Sequence, residues 1–225
     1  LASGRDADIF EYGPGLVLRR TRDRRSLAGE ARIMAYLHDQ GFPVPAVDEL
    51  SDDGSDLVME RIDAPSMVEA VGRAPWTVRH QGRVLADLHH RLHEIPAPEF
   101  LAPAPVGEGD RVVHLDLHPL NVLVGRGGPV VIDWTGASRG DPDADVALAW
   151  LLMSAGAVPG GGLKAALLGW ARGLLVNAFT GQFDRDRVAR TLPAVLEWKV
   201  RDPHMSEQEI AGMRRLVERA GTGPR

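Results

Sequence analysis

At 225 residues, 44% hydrophobic and 25% charged, the chain has the length and composition of one large globular domain or two small lobes. A formal charge of -5 argues against a general affinity for nucleic acid or anionic membranes, while leaving room for nucleotides held at a local site. The absence of cysteine excludes disulfides, thiolate metal sites and a cysteine nucleophile, and fits a cytoplasmic location.

The longest apolar run, Val146 to Met153, is too short to span a membrane. The opening LASGRDADIF lacks the basic start and apolar middle of a signal peptide. Because the sequence starts at Leu1 rather than Met, further N-terminal residues are expected. Residues 8–12 and 15–20 read as a hairpin turning at Gly13-Pro14-Gly15. A helix is expected from about Arg25 to Gln40, with Leu27, Ile33, Met34 and Leu37 as its apolar stripe. Gly41 and Pro43 stop it. Two short strands follow, near 46–50 and 56–61, joined by Asp52-Asp53-Gly54.

The remainder reads as mainly helical. Val84, Leu85, Leu88 and Leu92 predict a helix over 76–94, and a Pro-rich link runs from Pro96 to Pro105. Apolar runs at 111–115, 122–124 and 129–133 predict short buried strands, with a tight turn from Gly125 to Gly128. Helices are expected over 143–155, 161–180, 184–200 and 206–220. The boundary between the strand-rich front and the helix-rich back falls near 62–65.

Three polar residues, Asp116, Asn121 and Asp133, interrupt the apolar segment VVHLDLHPLNVLVGRGGPVVIDW. Carboxylates bordering buried strands are costly unless a cation or a hydrogen-bond donor satisfies them. Asn121 begins one strand of the small hairpin and Asp133 ends the other, so antiparallel pairing brings them close. Their oxygens suit a hard cation such as Mg²⁺, which takes few protein ligands and completes its shell with phosphate and water. Asp116 is then free to accept a proton. The bland alternative is that Asp116 and Asn121 cap a turn and Asp133 caps a helix.

The spacing His114-Leu115-Asp116 followed by Asn121 resembles the H-x-D-x-x-x-x-N catalytic loop of protein kinases. Ile132-Asp133-Trp134 resembles their metal-binding D-F-G, with Trp134 for phenylalanine and Thr135 for glycine. With His118-Pro119, Gly140-Asp141-Pro142, LADLHHRLHEIPAP and GFPVP, the sequence resembles the aminoglycoside phosphotransferase and choline-kinase branch over roughly residues 5–155. The resemblance implies an α+β, two-lobed protein kinase-like fold. Residues 1–62 would be a short or incomplete nucleotide-binding lobe, and 63–225 the helical catalytic and acceptor-binding lobe. It further implies ATP and Mg²⁺ as cofactors and a small-molecule hydroxyl compound as acceptor. Asp116 would be the catalytic base, and Asn121 and Asp133 the metal ligands.

The same resemblance asks for a cation on the third front-lobe strand, paired with Glu30. Lysine is expected there, but LVLRR offers Arg19 or Arg20. Alternation sends the two to opposite faces, and Arg19 is preferred because Leu16 and Leu18 then share the other face. Leu57-Val58-Met59-Glu60-Arg61 would form the hinge between the lobes, with Met59, Glu60, Arg61 and Ile62 meeting adenine through main-chain groups; an ordinary edge strand is the alternative. Ser3, Gly4 and Arg5 either cover phosphates or fray, since no G-x-G-x-x-G is present. The five arginines from Arg19 to Arg25 read as a solvated surface.

Other histidines and acids have competing readings. His114 braces the loop or acts as a base. His114, Asp116 and His118 alternate, so in an extended strand they would face one side as a hydrolytic metal site. His89, His90 and His93 invite a metal reading, but exposed helix positions without a completing carboxylate explain them better. Asp141 or Asp143 caps the next helix, and Asp145 is expected to brace the catalytic loop. The five tryptophans are expected to pack the helical part, with Trp170 or Trp198 alternatively lining an acceptor pocket. Glu197, Asp202, Glu207 and Glu209 either supply an acidic acceptor pocket or form a solvated face. The missing lysine and weak glycine loop leave a second functional reading, a nucleotide-binding pseudokinase that regulates a partner.

Overall fold

The computed structural model describes residues 2–3, 7–23, 25–155 and 162–221. Strands β1 (Ala2–Ser3), β2 (Ala7–Glu11), β3 (Leu16–Thr21), β4 (Val47–Leu50) and β5 (Asp56–Glu60) form one antiparallel sheet in the order β1-β2-β3-β5-β4. The β2–β3 hairpin closes where it was expected. Gly13 and Gly15 hold φ of 123° and 72°, values that side-chain-bearing residues rarely adopt. Val17 and Thr21 are buried, and Arg19 shares their face by alternation, whereas Arg20 points outward to Asp56.

Helix α1 (Ala28–Asp39) begins three residues later than the periodicity predicts. The preceding residues are held by other bonds: Thr21 Oγ1 donates to the Arg25 carbonyl at 2.9 Å, and Leu27 N donates to the Gly54 carbonyl at 2.7 Å. Its buried face is Glu30, Ala31, Ile33, Met34 and Leu37. The single charge in that stripe, Glu30, is spent on the site described below.

Helix α2 (Met67–Arg73) was not anticipated, although Ser66 and Glu69 form a complete capping box at its start. Helix α3 (Val78–Glu94) follows a 3₁₀ turn over Pro75–Thr77. Strand β6 (Arg111–Val113) pairs with β9 (Ser138–Gly140), and β7 (Val122–Gly125) pairs with β8 (Gly128–Val131). Two of these strands stop short of their expected ends because Leu115 and Asp133 turn left-handed, at φ 58° and 67°. Strand β9 was missed.

Helices α4 (Pro142–Ala155), α5 (Gly162–Thr180), α6 (Arg185–Lys199) and α7 (Glu207–Gly221) complete the helical part. The apolar run read from the sequence becomes α4, which is buried on nearly every side. At Gly82 a Cβ would meet the Leu175 carbonyl at 2.7 Å, so glycine is what lets α3 and α5 approach. Trp134 and Trp150 are buried, but Trp76 and Trp170 are 82% and 63% exposed, so the expectation that all five tryptophans pack the core does not hold. No helix among the described residues is long and apolar enough to cross a membrane.

Candidate active site

The loop after β6 is built around one buried carboxylate. Asp145, on α4, accepts hydrogen bonds from Leu115 N (2.8 Å) at Oδ1 and from His114 N (3.1 Å) and His93 Nε2 (3.0 Å) at Oδ2. Burial would raise its pKa, but the His93 hydrogen bond and the neighbouring histidines outweigh this and hold it well below the carboxylate range. The bracing role expected for Asp145 is therefore present as geometry.

His114 is fully buried and its Nε2 donates to the Ile132 carbonyl at 3.1 Å, tying the loop to the end of the β7–β8 hairpin. Its ring lies 4.5 Å from Trp134. The alternating metal site of His114, Asp116 and His118 fails here. Leu115 is left-handed, so no extended strand carries the three to one face.

Asp116 follows this strained residue, and its side chain is 37% exposed. Asn121 Nδ2 donates to both the Asp116 carbonyl and Asp116 Oδ2, each at 2.9 Å. That orientation leaves Asn121 Oδ1 for another partner. His118 Nδ1 accepts from Leu120 N (3.2 Å), placing the ring proton on Nε2, 3.5 Å from Asp116 Oδ1. Burial pushes the His118 pKa down against the opposing pull of Asp116.

Ile132 N donates to the Asn121 carbonyl at 3.0 Å, so the hairpin delivers Asp133 beside Asn121 as the spacing predicts. Four side chains meet there. Arg19 Nη1 pairs with Glu30 Oε1 at 3.0 Å, and Arg19 Nη2 reaches Asp133 Oδ1 and Thr135 Oγ1, both at 3.2 Å. The Thr135 hydroxyl has one proton, available to Asp133 Oδ1 at 3.0 Å or Glu30 Oε2 at 3.3 Å. Burial would raise the Asp133 pKa, but the charge and hydrogen bond of Arg19 and the Thr135 bond lower it. Glu30 moves the other way: burial raises it more than Arg19 lowers it, and Asp133 adds to the rise.

Arg19, Glu30 and Asp133 therefore come together, as do Asp116 and Asn121. At the expected hinge most backbone N–H groups already have partners. Met59 pairs with Val17 and Val47 within the sheet, Glu60 N donates to the Ala46 carbonyl, and Arg61 N donates to the Gly15 carbonyl, each of the last two at 2.8 Å. Only the Ile62 N–H has no backbone partner among the described residues of this set. Gly4 and Arg5 lie outside the described residues.

His89 and His93 are not exposed positions: His89 is fully buried, and Asp145 completes the cluster that the sequence lacked. Three of the four acidic residues near the C-terminus, Glu197, Asp202 and Glu209, make local contacts. Asp202 binds Lys199 (2.9 Å) and falls to about 2, chiefly through that bond. Glu209 caps α7 with Ser206, and exposed Glu197 pairs with Arg201. Thr135 is the site residue that sequence reasoning passed over, and its substitution for the family glycine was the available signal.

The fold is thus protein kinase-like, a strand-rich N-terminal part beside a helical part that carries the D-x-x-x-x-N loop. Residues 99–189, the segment bearing Asp116, Asn121, Asp133 and Asp145, match the model described as "Phosphotransferase enzyme family". The resemblance read from the sequence is borne out. Among solved structures, a choline/ethanolamine kinase family protein from Mesorhizobium loti is 14% identical, with a TM-score of 0.60, over 99% of this chain and 87% of that one. The streptomycin–ATP–APH(2")-IIa ternary complex is 15% identical, with a TM-score of 0.58, over 99% of this chain and 87% of that one. Amicoumacin kinase, in complex with AMP-PNP, Ca²⁺ and Ami, is 14% identical, with a TM-score of 0.53, over 97% and 86%. No curated protein matches the sequence.

Proposed function

We propose that this protein is an ATP-dependent phosphotransferase that moves the γ-phosphoryl group to a hydroxyl of a small polar molecule, aminoglycoside-like or another metabolite. The observation that carries this reading is the Asn121 amide held on Asp116, which fixes the carboxylate and turns Asn121 Oδ1 toward a further partner. Residues 1–62 serve as the nucleotide-binding lobe and 63–225 as the catalytic and acceptor-binding lobe, in a cytoplasmic protein.

The donor set fits the cofactors. Asn121 Oδ1 and the Asp133 carboxylate are hard oxygen ligands for Mg²⁺, and the Ile62 N–H, which has no backbone partner among the described residues, can meet adenine. When bound, Mg·ATP supplies the phosphoryl group and neutralises the charge developing on it. Asp116 orients the acceptor alcohol and takes its proton on a carboxylate oxygen. Arg19 supplies positive charge beside Asp133, anchored by Glu30. Catalysis of this kind depends on positioning and electrostatics more than on covalent chemistry.

Small hydroxyl-bearing acceptors in the structural relatives support the acceptor class: streptomycin is bound in one, and another is named for choline and ethanolamine. The test is an ATP-consumption screen over a metabolite and antibiotic panel, with Asp116→Ala as blank. Acceptor-dependent ADP release in the wild type alone supports the reading. A second reading, a pseudokinase regulating a partner, is favoured by one observation: a guanidinium instead of the expected lysine engages Asp133. Nucleotide binding without turnover across the panel would favour it.

A further inference from the structure

Among the described residues two buried imidazole nitrogens lack a hydrogen-bond partner, His114 Nδ1 in the loop after β6 and His89 Nδ1 on α3, and the second stands beside another histidine and a carboxylate. The His89 ring on α3 is fully buried, with Nε2 3.1 Å from the Leu117 carbonyl. A carbonyl only accepts, so Nε2 carries the ring proton and Nδ1 is a bare lone pair. That Nδ1 has no hydrogen-bond partner among the described residues and faces Asp145 Oδ2 at 3.9 Å. Burial pushes His89 down to about 3, so the ring is neutral at physiological pH. A lone pair opposite a buried carboxylate oxygen is costly unless a donor or a cation comes between them.

One helical turn along, His93 Nε2 lies 3.0 Å from the same oxygen, and the three donor atoms all fall within 4.8 Å of one another. Tetrahedral zinc with bonds of about 2.0–2.1 Å spaces its nitrogen and oxygen ligands about 3.3–3.4 Å apart. The distances of 3.0 and 3.9 Å bracket that spacing.

We propose that His89 Nδ1, His93 Nε2 and Asp145 Oδ2 bind a zinc-class divalent transition-metal ion, at a site separate from the oxygen ligands Asn121 and Asp133. Two imidazoles and one carboxylate suit zinc or cobalt better than magnesium. The surroundings are those of a metal site. The Leu117 carbonyl fixes the His89 tautomer, as outer-shell carbonyls do for metal-bound imidazoles. His93 offers Nε2 by shifting its ring proton to Nδ1, so no net proton is lost. Asp145 Oδ2 has a second lone pair for His114 N–H and need not release it. His93 also lines a cleft of about 240 Å³ with His90, Glu94, Pro142 and Phe183, which provides entry and room for a water as fourth ligand. The ion would join α3 to α4 at the carboxylate that holds the catalytic loop.

The test is Co²⁺ titration of the full chain, stripped by chelation, without nucleotide. One equivalent should produce the visible absorption of four-coordinate cobalt, displaced by Zn²⁺ and unchanged in Asp133→Ala. The absorption should vanish in His93→Gln and His89→Gln, whose amides still donate to Asp145 and Leu117; circular dichroism checks that each is folded. Should one variant not fold, the other decides. Absence of the band in the stripped wild type overturns the site. So does a band undiminished in a folded histidine variant, or one lost only in Asp133→Ala. Neither result bears on phosphoryl transfer, which is read separately.

Discussion

Arg19 Nη2 and Asp133 Oδ1 lie 3.2 Å apart, so a cation from the sheet already holds the carboxylate proposed to carry the catalytic ion. The same guanidinium pairs with Glu30, whose side chain is 4% exposed. One planar fork thus serves two acids, which an ammonium of single-point geometry cannot do equally well.

Removing Arg19 leaves buried Glu30 without its cation, beside Thr135 and the like charge of Asp133. Breaking a buried pair by deleting one partner costs about 3–5 kcal/mol. Arg19→Ala is expected to lose stability in that range by denaturant unfolding, and Arg19→Lys to recover part of it. An Arg19→Ala midpoint equal to wild type would show that Glu30 does not depend on this pair.

Asp133→Ala should weaken nucleotide binding in the presence of Mg²⁺ by about tenfold or more, roughly 1.4 kcal/mol. Binding with excess chelator should change little. Calorimetric titrations under both conditions separate a metal ligand from a merely structural acid, which would alter both or neither.

Asp145→Ala deprives His114 N, Leu115 N and His93 Nε2 of their acceptor in a buried place. Unsatisfied buried groups cost about 1–3 kcal/mol each, so a loss of about 3 kcal/mol or more is expected by denaturant unfolding. Phosphoryl transfer should fall as well, because the loop presenting Asp116 loses its brace.

The pH dependence follows from histidines kept neutral. His89 sits at about 3 in the folded chain, whereas an unfolded histidine titrates near 6.5. Between those values the unfolded state binds the extra proton, so stability rises with pH, by about 1.4 kcal/mol per unit for this group. His118 is shifted the same way by burial. In chelator-containing buffer the unfolding free energy should therefore drop as pH falls below about 6.5. His89→Gln should have a shallower slope; an unaltered slope would remove His89 as a source.

The meeting of Asp116 with Asn121 was legible because the two are close in sequence, and their spacing limits who can meet whom. Alternation likewise chose Arg19 over Arg20 without knowledge of the fold. Short elements were harder. Helix α2 has seven residues and announced itself only through Ser66 and Glu69, and β9 has three. The left-handed turns at Leu115 and Asp133 left no mark in residue type, since neither is glycine. Burial of His89 and His93 depends on Asp145, 52 residues beyond His93, a pairing that periodicity along one helix cannot reveal. The partners of the Arg61 and Glu60 N–H groups were hidden for a similar reason: they are the Gly15 and Ala46 carbonyls, far away in the sequence.

Transfer of phosphate by wild type and Asp116→Ala, followed by ³¹P NMR with an acceptor found in the panel, bears most directly on the mechanism. The expected result is a phosphorylated alcohol from wild type and a rate about 10²–10⁴ lower in the variant, with nucleotide affinity retained. Equal rates from the two proteins would contradict a proton-accepting Asp116.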